Sequence, residues 1–220
     1  GQLSPTTLVR NMHNFGITNH IDPVMSLCLG SCEVSIKEMV GAYTAYANKG
    51  MRAAPVFVTA IADANGNVIS EFNTTHTEVI SEKAYAKILS MLLNVVDGGT
   101  GNRVRRAPYN ITAQMGGKTG TTNYNADGWF MGFTPELVSG VWVGGDERYI
   151  HFNTMAHGQG AAMALPIYGL YMSKVYADPK LPYSQNAKFE VDFSNLCDKE
   201  FYDYIEESNE VEESIADVFD

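Results

Sequence analysis

The chain has 220 residues, 45% of them apolar and 18% charged, a globular composition long enough to enclose one sizeable core with a small appendage. A formal net charge of -10 argues against nucleic acid and anionic membrane surfaces as partners, because both require a basic face. The charge is concentrated: residues 198–220 carry ten acidic side chains against one Lys, and the remainder is nearly neutral.

Ser4 ahead of Pro5 is a cap followed by a first-turn proline, and Leu8, Met12 and Phe15 recur at helical spacing until Gly16. The chain should therefore open with a short helix packed on one face. Cys28, Cys32 and Cys197 show no metal-ligand spacing. All three read as buried thiols, with a Cys28–Cys32 bridge the alternative in an oxidising compartment. Ser35-Ile36-Lys37-Glu38 is a capping box. The helix it starts should run to about Asn48, bury Ile36, Met39, Val40, Tyr43, Tyr46 and Ala47, and stop at Gly50.

Residues 56–61 are β-branched and aromatic, and Asn65-Gly66 is a turn signal before Val68 and Ile69, which predicts a hairpin. Ser81 opens a third helix with Tyr85, Ile88, Leu89, Leu92, Leu93 and Val96 on one side, closed by Gly98-Gly99-Thr100-Gly101. Arg103, Arg105 and Arg106 read as a solvated, flexible bend in preference to an anion clamp. Residues 115–144 then carry three antiparallel strands with turns near Asn123 and Pro135. A helix is expected to begin at Pro166 and continue through Val175, against that sheet. The order strand, strand, strand, helix predicts an α+β fold in which helices pack an antiparallel sheet. Residues 1–177 form the expected domain, and residues 178–220, with Pro179, Pro182 and the acidic run, an appended tail. The N-terminus lacks a targeting segment and no run of about 18 apolar residues occurs, so any membrane anchor belongs to polypeptide outside this chain.

Function is concentrated in Lys118-Thr119-Gly120-Thr121-Thr122, reached through Gly116-Gly117 and followed by Asp127-Gly128-Trp129-Phe130. A cation, hydroxyls and a glycine on one extended segment can hold an anionic peptide end while the backbone lies along the peptide. Thr119 and Thr121 share a face at period two, whereas Lys118 leaves an ideal strand on the other. A phosphate loop is excluded, since the glycine it needs five positions before Gly117 is Thr112. No pair of the five histidines has metal-ligand spacing; His151 and His157 flank a loop that borders the cleft only as a second guess.

Lys-Thr-Gly is one of three motifs of penicillin-binding proteins and serine β-lactamases. With residues 35–50, Gly99-Thr100-Gly101, Asp127-Gly128-Trp129-Phe130, Thr134-Pro135 and Pro166-Ile167-Tyr168, this chain resembles the C-terminal part of the transpeptidase domain of class A (bifunctional) penicillin-binding proteins. The resemblance implies a peptidoglycan D,D-transpeptidase working through a serine acyl-enzyme, with no cofactor. Its partners would be stem peptides, β-lactam antibiotics and other cell-wall synthesis proteins, and its place the extracytoplasmic face of the membrane. It assigns Lys118 and Thr121 to catalysis, and Thr119, Gly120, Thr121 and Thr122 to substrate binding. Whether a glycosyltransferase domain precedes this piece stays open. Two motifs are missing: no serine is followed three residues later by lysine, and the one Ser-x-Asn, Ser184-Gln185-Asn186, comes after Lys118 instead of before it. The expectation is a fragment whose nucleophile lies upstream. The alternatives are a peptidoglycan-binding module that kept the strand and lost the nucleophile, and a carboxypeptidase or β-lactamase relative.

Overall fold

Ser4 caps the first helix, α1 (Pro5–Asn14), its hydroxyl accepting from the Thr7 N–H at 3.2 Å. The computed structural model to which this helix belongs describes residues 4–193, and the acidic run and Cys197 lie outside the described residues. The elements below belong to the first of two units, Gly1–Phe189. Cys28 and Cys32 are not bridged; Cys28 is exposed instead of buried, and burial raises the pKa of Cys32.

The second helix, α2 (Ile36–Ala47), begins on the expected capping box, with Ser35 Oγ accepting from Glu38 N at 3.2 Å and Glu38 Oε2 accepting from Ser35 N at 2.9 Å. Its buried residues are not the expected stripe. Glu38, Gly41, Ala42 and Ala45 are buried, while Ile36 is 40% exposed. Small residues win here because the helix approaches its neighbours closely: a methyl on Gly41 would stand 3.0 Å from the Pro55 ring. Tyr43 and Tyr46, from the expected stripe, are half-buried, with ring centroids 6.2 and 6.1 Å from that of Phe133, and burial raises the pKa of both phenols.

Glu38 is the second surprise on this helix. Its Oε1 accepts from Thr18 N and Thr18 Oγ1, both at 2.7 Å, and from Asn19 N at 3.3 Å. Its Oε2 takes Ser35 N, Ser35 Oγ at 2.8 Å and Asn19 Nδ2 at 3.4 Å. Burial by itself would raise the carboxyl pKa, but the Ser35 and Thr18 hydrogen bonds outweigh it and bring it down to about 2. One side chain thus fastens the segment after α1 to the start of α2.

Two short ribbons follow. β1 (Met51–Ala53) pairs antiparallel with β4 (His76–Glu78), and β2 (Ala60–Ala62) with β3 (Val68–Glu71). The second is the expected hairpin: Gly66 sits at φ 86°, and Asp63 Oδ1 accepts from the N–H groups of Asn65 and Asn67. It is shorter than its apolar run: among the described residues, no strand pairs with residues 56–58. The helix α3 (Glu82–Asp97) buries Tyr85, Leu89, Leu92, Leu93 and Val96 of the face its periodicity predicts, and Ile88 is half-buried.

Arg105 corrects the reading of a solvated bend. It sits in a tight turn (Asn102–Arg105), and its guanidinium donates twice to Asp97 Oδ1, at 3.1 and 2.7 Å, and to the carbonyls of Ile111 and Ala113 at 3.0 and 2.6 Å. The side chain is 19% exposed. Arg105→Ala strands two carbonyls and a carboxylate and is expected to cost about 2 kcal/mol, read as a lower urea midpoint with an unchanged slope.

The central sheet runs β5 (Gly116–Thr121), β6 (Asp127–Phe133), β7 (Val138–Gly144), antiparallel throughout. Side-chain alternation gives it two packed faces. Phe133 and Met131 face α2, whereas Phe130 and Gly132 face the last long helix, α5 (Gly160–Ala177), which follows the single turn α4 (Met155–Gly158). The rings of Phe130 and Tyr168 meet edge to face, centroids 4.8 Å apart, within a core that also holds Val96, Val104, Ile111, Met115, Leu165 and Met172. α5 starts at Gly160, well before Pro166, which lies inside it. Burial of Ala164 and Leu165 against the sheet outweighs the one hydrogen bond a proline removes. After α5 the chain returns to the Gly116 end of the sheet. There Ser184 N donates to Glu136 at 2.8 Å, and Gln185 accepts from Thr112 N at 2.8 Å.

Candidate active site

β5 opens with Gly116-Gly117, and Gly117 is paired with Gly132 of β6. Gly117 leaves room for Val96 of α3, and a methyl there would stand 2.8 Å from the Met131 carbonyl. Its phase against β6 is set where the strand ends: Thr122 N donates to Asp127 O at 3.1 Å. Antiparallel pairs alternate between bonded and non-bonded, so Gly120/Trp129 and Lys118/Met131 exchange hydrogen bonds. Thr119 and Thr121 therefore turn their N–H and C=O groups to the opposite edge. Among the described residues that edge of β5 has no strand partner.

The five motif residues separate by position. Thr119 and Thr121 project on the α5 face. The Thr119 hydroxyl lies 2.9 Å from that of Thr100, in the loop after α3. Thr121 Oγ1 accepts from Gly160 N, the first N–H of α5, at 3.0 Å. The residue before α5, Gln159, makes no side-chain cap, so Thr121 supplies one from another element. Having accepted there, the Thr121 hydroxyl keeps its own proton to donate. Lys118 leaves on the α2 face, as alternation requires, but its long stem curls round the open edge and Nζ donates to Thr119 O at 2.8 Å. Thr122 is engaged with the turn: its Oγ1 accepts from Asp127 N at 2.9 Å and donates to Asp127 Oδ2 at 3.1 Å. Gly120 lies under Gly160, where any side chain on the latter would enter the space of the Gly120 carbonyl.

The Lys118 ammonium stands at this edge, and the N-terminal end of an 18-residue helix is tied to the strand through the Thr121 hydroxyl. With outward N–H groups and two hydroxyls, the arrangement suits a carboxylate at the end of an extended peptide. His151 and His157 lie on the exposed strap beside the β5–β6 turn, their rings 6.5 Å from those of Tyr124 and Phe152 respectively. Asn125 fastens that strap, its Nδ2 donating to Phe152 O at 3.2 Å. Thr100, Gly160 and Asp127 were not recognised as site residues from sequence. A threonine between glycines and a helix-opening glycine carry no spacing that separates them from ordinary loop residues.

The family model described as "Penicillin binding protein transpeptidase domain" matches residues 8–147. Penicillin-binding protein 2D of Bacillus subtilis is 38% identical over 150 residues, covering 66% of this chain and 21% of that protein. Penicillin-binding protein 1A of Rickettsia conorii is 34% identical over 202 residues, covering 81% of this chain and 25% of that protein. The chain thus spans about a quarter of the length of these relatives. In fold it is similar to the crystal structure of penicillin-binding protein 1A from Haemophilus influenzae, with TM-score 0.70 and 22% identity over 82% of this chain and 32% of that one. It is similar also to the PonA1 protein of Mycobacterium tuberculosis in complex with penicillin V, with TM-score 0.69 and 21% identity over 86% of this chain and 53% of that one. With residues 8–147 matched and helices packed on an antiparallel sheet as in those structures, this chain belongs to the penicillin-binding protein transpeptidase domain family.

Proposed function

We propose that the chain supplies the carboxylate-binding edge of a serine D,D-transpeptidase that cross-links peptidoglycan stem peptides outside the cytoplasm, with the nucleophile contributed by another part of a longer protein. In that reaction a serine oxygen attacks the amide carbon between two D-alanines. The C–N bond breaks, terminal D-alanine leaves with a proton, and an amine from a neighbouring strand takes the acyl group and restores the serine. The Thr121 N–H would donate to the oxyanion of the tetrahedral intermediate. The hydroxyls of Thr119 and Thr121 would hold the terminal carboxylate, and Lys118 would supply positive potential beside the proton relay. Gly120 keeps the edge flat for the peptide, and Thr122 closes the turn that ends it. A β-lactam carries a carboxylate next to its reactive amide and would occupy the same edge.

The observation that carries this reading is the open edge of β5, with the Lys118 ammonium 2.8 Å from the Thr119 carbonyl and the N–H of Thr121 facing outward. In the longer protein, Lys118→Ala is expected to slow acylation by a fluorescent penicillin by about 100-fold, the scale of losing one charged donor at such a centre, without unfolding it. Unchanged acylation removes Lys118 from the site. The chain alone, which has no Ser-x-x-Lys, is expected to take no covalent label.

A further inference from the structure

The loop that ends α3 is built to hold one hydroxyl. Gly99 and Gly101 fold back on the last turn of the helix so closely that a methyl on Gly99 would stand 2.9 Å from Val95 Cα, and one on Gly101 3.1 Å from Val95 O. Gly101 N donates to Val95 O at 2.8 Å. Asn102 Nδ2 donates to Asp97 O at 2.6 Å and to Val96 O at 3.3 Å, capping carbonyls the helix leaves open. Arg105 then holds Asp97 itself. Between Gly98 and Gly101 the only side chain is that of Thr100, and its Oγ1 lies 2.9 Å from Thr119 Oγ1. Burial of Val96 beneath Gly117 fixes the helix end against β5, so loop and strand are held in one register.

We infer that Thr100 is a positioning residue for terminal-carboxylate recognition, acting through Thr119. This rests on the carboxylate-binding reading above. Two hydroxyls at that separation share one proton between them. When Thr100 donates to Thr119, Thr119 has its acceptor need met and its own proton is left to donate to a carboxylate, which the neighbouring Lys118 ammonium favours. Without Thr100, the Thr119 hydroxyl rotates freely and its proton is as readily turned to solvent. The effect is confined to ligands that present a carboxylate at that point.

The test uses N,N′-diacetyl-Lys-D-Ala-D-Ala and its C-terminal carboxamide as probes, with affinities read from amide shifts of the chain. Thr100→Val is expected to weaken the acid about ten-fold and leave the carboxamide unchanged, while Thr100→Ser restores the acid. Thr119→Val is measured in parallel. If Thr119→Val weakens the acid and Thr100→Val does not, the inference about Thr100 is wrong and the carboxylate site stands. If Thr100→Val weakens acid and carboxamide alike, or Thr100→Ser fails to rescue, its role is merely structural and the inference again falls. If the acid does not bind the unmodified chain, or Thr119→Val has no effect on it, the carboxylate site falls, and the inference with it.

Discussion

Replacing Gly160 by alanine is expected to destabilise the chain by about 3 kcal/mol and to disturb β5 more than any other strand. The added methyl would occupy the space of the Gly120 and Trp129 carbonyls and stand 3.1 Å from Trp129 N. All three are backbone atoms of a paired ladder, so relief requires α5 to lift from the sheet. Lifting breaks the Gly160–Thr121 hydrogen bond and uncovers Leu165 and Tyr168, which are fully buried. Urea unfolding gives the cost, and amide exchange at residues 119–121 locates it. A variant as stable as the parent, with unchanged exchange there, contradicts the packing of α5 on the site strand.

Removing the Glu38 carboxylate is the second large effect. Glu38→Ala leaves the donors from Thr18, Asn19 and Ser35 without their acceptor and is expected to cost roughly 3 kcal/mol at neutral pH. The pH dependence has a definite sign. The folded carboxyl is held at about 2, below its ordinary 4.5, so the stability it contributes is complete above pH 4.5 and is lost as pH falls from there toward 2. Glu38→Gln cannot titrate, so the gap between parent and variant should narrow over that interval. Urea midpoints at pH 7, 4 and 2.5 measure this. A gap of the same size at pH 7 and pH 2.5 shows that the charge is not what Glu38 contributes.

The sheet was legible because its signals are local and redundant. Alternating β-branched and aromatic residues, glycines at pairing positions and a Thr-Pro turn all give the same three strands. The capping box of α2 and the periodicity of α3 were legible for the same reason. What escaped the sequence depends on distance between elements. α2 buries Gly41, Ala42 and Ala45 because it lies close to its neighbours, and a hydrophobicity pattern ranks Ile36 above them. Arg105 reads as a loop charge until the Ile111 and Ala113 carbonyls are brought to it. The β1–β4 ribbon joins residues more than twenty positions apart, in strands too short to show alternation. At the site, the pentad was evident, and so was the opposite facing of Lys118 and the threonines. The return of the Lys118 ammonium round the edge was not, nor was the engagement of Thr100 with Thr119 and of Gly160 with Thr121, since each joins groups on separate elements.

On the function proposed above, a wall peptide lies along the open side of β5 with its terminal carboxylate between Thr119 and Thr121. Intermolecular nuclear Overhauser contacts between the D-alanine methyls of N,N′-diacetyl-Lys-D-Ala-D-Ala and the labelled chain test it most directly. Contacts to the amides and methyls of Thr119 and Thr121 are expected. Contacts confined to the outer edge of β7 or to the β2–β3 hairpin, with the β5 amides unmoved, would contradict it.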